Sequence, residues 1–158
     1  MNSRILKTLP ALFVLLTTFY GCSKPLTDED VIKNIIKEMA TAAEDKKVRR
    51  FMSYVADDHA DDNGNDRDAI KRVLLYEVMK KDKVKVFLRK THVEVSGVKA
   101  LVDLKAVLAR GSGEKSIEMI LPENSSGYRF NLIFRKVGKD KWQLENASWE
   151  NIGVSALI

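Results

Sequence analysis

Residues 84–109 read VKVFLRKTHVEVSGVKALVDLKAVLA, and this stretch decides the fold. Apolar side chains alternate along it, the period of a strand with one face against a core, and Ser96-Gly97 between its halves is a hairpin break. The alternation also changes parity: Val84, Val86 and Leu88 are even-numbered, whereas Val93 and Val95 are odd. A side-chain period of two cannot absorb a one-residue slip without turning the buried face outward. The spacing therefore predicts a bulge near Arg89 to His92 and a bent strand.

Further along, Trp142 and Leu144 give way to Ala147 and Trp149, so a second kink is expected near Glu145 or Asn146. Strands are predicted near Val84 to Val95, Lys99 to Ala109, Ser116 to Leu121, Tyr128 to Lys136 and Lys141 to Glu150. Val137-Gly138-Lys139-Asp140 reads as another hairpin turn, and Gly111-Ser112-Gly113 and Pro122 to Gly127 as looser connections. Two bent strands in an antiparallel sheet imply a curled layer.

Toward the N-terminus the period becomes helical. Thr27 and Asp30 form a capping-box start, followed by Val31, Ile32, Ile35, Ile36, Met39, Ala42 and Ala43 on one stripe. Asp45 is placed to cap a short second helix carrying Val48, Phe51, Met52 and Val55. Ala56 to Asp66 is a polar loop, and a third helix is predicted from Arg67 to Lys80 with Ile70, Val73, Leu74, Glu77 and Val78 on one face. Glu77 is thus an acid inside an apolar stripe. It is either a desolvated general base with a raised pKa, or the partner of Arg72, Lys80 or Lys81.

The fold class is α+β, with three N-terminal helices packed in the concavity of a curved antiparallel sheet. Ala42-Ala43-Glu44-Asp45 leading into Phe51-Met52, Asp62-Asn63-Gly64, the run Val93 to Ala100, and Trp142-Gln143-Leu144 make residues 28–150 resemble the nuclear transport factor 2-like, or cystatin-like, superfamily. The resemblance implies a cone whose open end holds an apolar ligand. Members include steroid isomerases, polyketide cyclases, dehydratases, transport adaptors, secretion-system components and noncatalytic envelope proteins, so fold alone does not choose a function. The Tyr and acid set of the isomerase-like members does not map onto this chain residue by residue.

Arg4 and Lys7 precede an apolar stretch from Ile5 to Tyr20, interrupted at Lys7, Thr8, Pro10, Thr17 and Thr18 and followed by Gly21-Cys22. This is a secretory leader, shorter after Lys7 than the roughly 20 residues a spanning helix needs. It resembles a bacterial lipoprotein precursor, although Phe19 and Tyr20 stand where Leu and a small residue are usual. The resemblance implies cleavage before Cys22, its lipid modification, and, with Ser23 in place of a retention-type Asp, an outer-membrane anchor on the periplasmic side. The expected organisation is a signal peptide over 1–21, a tether over 22–26, a domain over 27–152 and a tail over 153–158. The membrane contact is then the lipid itself, with no membrane-binding face needed on the domain.

Removing residues 1–21 takes Arg4 and Lys7 from the 27 cations and nothing from the 22 acids, which lowers the formal charge from +5 to +3. Charges of both signs are interspersed, so no nucleic-acid partner is expected. The run Lys80, Lys81, Lys83, Lys85 reads as a solvated helix end and strand edge, with acidic lipid or polyanionic cell-wall material as the alternative.

The acidic loop from Asp57 to Asp66 does not match a calcium loop: with Gly64 at the sixth position, His59 falls at the first and Ile70 at the twelfth, where acids are required. It reads as a solvated cap for the third helix. His59 and His92 are the only histidines, too few for zinc. Neither a metal nor a cofactor is expected.

Tyr54, Tyr76, Tyr128, Phe130, Phe134 and Trp149 are expected toward the sheet concavity, where they either fill a core or line a pocket. The ligand-binding set drawn from this reading is Tyr54, Tyr76, Glu77, His92, Tyr128 and Trp149. The function expected is a noncatalytic envelope protein binding a small apolar molecule or a partner protein. An isomerase or dehydratase, and an assembly subunit that homodimerises through its sheet, are the alternatives.

Overall fold

The computed structural model describes residues 25–62, 64–80, 82–111 and 125–154. Among these residues, three helices, α1 (Asp28–Glu44), α2 (Val48–Met52) and α3 (Arg67–Met79), precede four strands, β1 (Lys83–Ser96), β2 (Lys99–Gly111), β3 (Ser125–Gly138) and β4 (Lys141–Asn151). The strands form one antiparallel meander in the order β1-β2-β3-β4. The strand expected over Ser116 to Leu121 lies outside the described residues, as do Cys22 and the leader.

Both expected irregularities occur. Leu88 pairs with Ala106 and Thr91 with Leu104, so Arg89 and Lys90 face a single residue of β2. Ile133 pairs with Asn146 and Phe134 with Leu144, leaving Glu145 as the extra residue of β4. These bulges curl the sheet and keep Val93, Ala147 and Trp149 on the same side as Leu144 and Trp142.

Helix α1 lies against that inner face. Ile32, Ile35, Ile36 and Met39 meet Val93, Val102, Leu104, Leu132, Phe134, Trp142, Leu144 and Ala147, with Met52 and Val55 closing one side. Phe134 and Ile32 are fully buried, and burial of a large apolar side chain is worth about 1.5–3 kcal/mol. The helix starts where the sequence says it should: the Thr27 hydroxyl accepts from Asp30 N–H, and the Asp30 carboxylate accepts from Thr27 N–H.

Two local expectations are corrected. Asp45 ends α1 instead of capping α2, whose N-cap is Lys47, without a side-chain hydrogen bond. Asp45 instead pairs with Lys47 at 2.8 Å. Helix α3 contributes no fully buried residue. Its Ile70 and Leu74 pack against the core, but Val73, expected in the same stripe, is 60% exposed. One helix already fills the narrow part of the concavity, so α3 covers the wider end with only part of its apolar face.

The segment between α2 and α3 seals the free edge of β4. Leu144 N–H donates to Tyr54 C=O at 2.7 Å, Ala56 N–H to Leu144 C=O at 3.0 Å, and Ala60 N–H to Glu145 C=O at 3.2 Å. An open edge would otherwise present unpaired backbone groups.

Candidate functional site

The wide end of the concavity is built by alternation. On β3, Tyr128 and Phe130 face inward two residues apart, their ring centroids 5.9 Å from each other. Trp149 on β4 is directly opposite Phe130, a register that exists only because Glu145 bulges. Phe130 packs against the core, whereas Trp149 is 42% exposed and Tyr128 is partly buried. Aromatic surface therefore runs from the filled core out to solvent.

Glu77 and Arg110 define the opposite rim. Glu77 follows Ile70 and Leu74 on the inward stripe of α3, and Arg110 ends the inward-facing series of β2. Arg110 donates to Glu77 Oε2 at 2.6 Å and Lys80 to Glu77 Oε1 at 2.8 Å. The Arg110 hydrogen bond holds the Glu77 carboxyl below the usual glutamate range, against a smaller opposing effect of burial. A general base with a raised pKa is therefore corrected: Glu77 is an ionised strut between α3 and the sheet. Of its expected partners Lys80 is present, while Arg110 is distant in sequence and was not foreseen. Glu77 in turn raises the pKa of Arg110 through their hydrogen bond, with a lesser contribution from the Tyr128 phenol.

The other expected residues lie elsewhere. Tyr76 is 62% exposed on the outer side of α3, where Lys80 Nζ sits 4.5 Å above its ring. The Tyr54 hydroxyl is 3.5 Å from Glu38 at the side of α1. His92 is on the outer face of β1, solvent-exposed and 3.0 Å from Glu94. A helix repeat in isolation does not say which of its two apolar flanks meets the sheet, and a bulge does not say to which side it aims a neighbouring side chain.

The acidic loop is committed to protein contacts. Asp58 receives two hydrogen bonds from Arg135 at 3.0 and 2.7 Å, Asp61 accepts from Asn65 N–H at 2.6 Å, and Asp66 caps α3 through Ala69 N–H at 2.8 Å. His59, missed as a core residue by the sequence reading, is 2% exposed with Nδ1 3.3 Å from Leu144 C=O. Among the described residues no group of three His, Cys, Asp or Glu side chains is arranged to hold a metal ion. Nor, among them, is any helix long and apolar enough to cross a membrane.

Known structures share this architecture. An NTF2-like protein from Cytophaga hutchinsonii superposes with a TM-score of 0.61 at 14% identity, over 80% of this chain and 100% of its own. A candidate dehydratase from the NTF2-like family of Streptomyces avermitilis gives 0.64 at 17% identity, over 79% and 97%. Bd1075 of Bdellovibrio bacteriovorus gives 0.62 at 10% identity over 77% of this chain, which spans only 40% of that protein. No protein-family model and no curated protein matches the sequence. The likeness is one of fold: an α+β cone of the NTF2-like, cystatin-like type.

Proposed function

We propose that the chain is a lipid-anchored envelope protein, held at the periplasmic side of an outer membrane through Cys22, whose cone receives a small apolar molecule without transforming it. The observation that carries the ligand reading is the Tyr128, Phe130 and Trp149 wall, partly open to solvent where the rest of the inner face is closed by α1. Apolar ligands bury against such a surface, and a few polar groups at the rim orient them. Glu77 and Arg110 are the rim groups available. Their mutual neutralisation supports binding over proton transfer, because an acid tied to two cations is a weak base. The anchor reading is supported by the cationic, apolar and Gly21-Cys22 pattern of the leader.

Native mass spectrometry of the full-length protein purified from its own envelope tests both parts. A co-purifying apolar molecule, lost in Trp149→Ala, and an acylated N-terminal Cys22 are the expected results. A domain that emerges empty removes the ligand reading, and an unmodified Cys22 removes the anchor.

A dehydratase is the second reading, favoured by the resemblance of fold to the Streptomyces avermitilis protein. Turnover of a dehydratase substrate that is abolished in Glu77→Gln, with the fold retained, would establish it over the binding reading.

A further inference from the structure

We infer that the paired hairpin tips of the sheet form a bilayer-contacting end that orients the cone with its mouth away from the membrane. This rests on the lipid-anchor reading above for proximity to a bilayer, but its evidence is separate.

The two hairpins emerge at the same end of the sheet. Gly97-Val98 joins β1 to β2, Lys139-Asp140 joins β3 to β4, and Lys136 N–H donates to Val98 C=O at 2.9 Å across them. The chain enters the described fold at this end as well. Lys136 Nζ lies 2.8 Å from Asp28 at the first turn of α1, so Leu26 and the preceding tether start beside the hairpins.

One group of exposed apolar residues lies there; the other, Val73, Leu75, Tyr76 and Met79, is on α3. Leu26 is 62% exposed, Val98 63% and Val137 45%, with Val95 at 38% close behind. A branched apolar side chain at a hairpin turn is a departure from the Gly, Asn, Asp and Ser that solvent-facing turns favour. Lys139 and Lys141 follow Val137 at exposed positions around the β3–β4 turn, placed to lay their apolar stems along a lipid surface and raise their ammonium groups to the phosphates. Glu29, Asp30 and Asp140 share this end, so its charge is close to balanced and the attraction is led by apolar contact.

A bilayer is favoured over a protein partner because the residue that the anchor reading acylates, Cys22, stands only four residues before Leu26 on this surface. An acyl chain on Cys22 would bring lipid within the reach of a tether of a few residues. The aromatic mouth sits at the opposite end of the strands, where β2 ends and β3 begins. Contact at the hairpin tips therefore leaves Trp149 and Tyr128 facing the aqueous side. This departs from the expectation of a domain without a membrane-binding face.

The test uses full-length protein reconstituted in phospholipid vesicles and labelled with a polarity-sensitive fluorophore at Val98→Cys, Val137→Cys or, as a control at the other end, Met79→Cys. All three positions are exposed, and thermal melts check that each variant folds. Lipid-borne quenchers should remove about half or more of the emission at positions 98 and 137 and leave position 79 unchanged, and Val137→Glu should abolish quenching at position 98. Equal quenching at all three positions, or none at 98 and 137, overturns the inference, as does protection of 98 and 137 without lipid quenching, which would mark a protein contact. Mass analysis of the N-terminal peptide reads the anchor separately. Acylated Cys22 with unquenched tips overturns only the orientation; where Cys22 is an unmodified thiol it takes the label too, so quenching is scored against protein labelled without an added cysteine, and tips quenched beyond that background overturn only the anchor.

Discussion

The indole of Trp142 donates to the Asp28 carboxylate at 3.0 Å, joining the last strand to the first turn of the first helix across most of the chain. Lys136 donates to both oxygens of the same carboxylate at 2.8 Å and stands 5.6 Å from the indole ring centroid. An acid at a helix N-terminus already suits the macrodipole. Here it also satisfies the N–H of an indole whose side chain is otherwise inside the core.

Trp142→Phe removes that hydrogen bond while keeping most of the ring, and should lower stability by about 1 kcal/mol in urea melts. The Lys136 and Trp142 hydrogen bonds hold the Asp28 pKa below its ordinary value. A depressed carboxyl contributes stability that is complete above the unfolded pKa, about 3.9 for Asp, and is lost as pH falls through the folded value. Asp28→Asn should therefore flatten the fall in stability below about pH 4 that the native protein shows. An unchanged acid limb would exclude this role.

Glu77 links α3 to the end of β2. Arg110→Ala should destabilise the domain by about 1 kcal/mol or less, since both side chains are partly solvated, and should speed amide exchange along α3 more than along α1. Glu77 is also held below its ordinary pKa, so its contribution is present at neutral pH and fades as pH falls through that lowered value. Exchange that rises equally in both helices would show that α3 is not fastened at this point.

Arg135 fastens the loop between α2 and α3 from the outer face of β3, through Asp58 at 2.7 Å and Glu145 at 3.3 Å. Arg135→Ala should increase protease cleavage and amide exchange between residues 56 and 62 with little change in the β1–β2 hairpin. Loss confined to β1 and β2 would contradict this assignment.

Gly97 holds a φ of +58° at the first position of the β1–β2 turn. No atom lies within 4 Å of where a Cβ would stand, so the cost of Gly97→Ala is backbone strain alone, about 1 kcal/mol in a thermal or urea melt. A neutral substitution would indicate that the turn relaxes to another type.

Much of the architecture is legible in the sequence because it is written in local periods. The capping box at Thr27, the α1 stripe, the strand alternation and both parity changes depend on neighbours a few residues away, and each appears where the pattern places it. The mouth is only half legible. Tyr128 and Trp149 face inward as alternation requires, but Tyr76 and His92 point outward, and Arg110, the partner of Glu77, lies 33 residues away from it.

The sequence by itself determined the three helices, four of the strands, the two bends and which residues of each strand share a side, since a period of 2 or 3.6 residues fixes which side chains lie together. Only the tertiary structure decided which flank of α3 meets the sheet, that Glu77 is an ionised strut, and that the hairpin tips and the chain entry share one end. Those outcomes depend on how curved layers close on each other and on charges meeting across long separations, neither of which leaves a trace in local spacing.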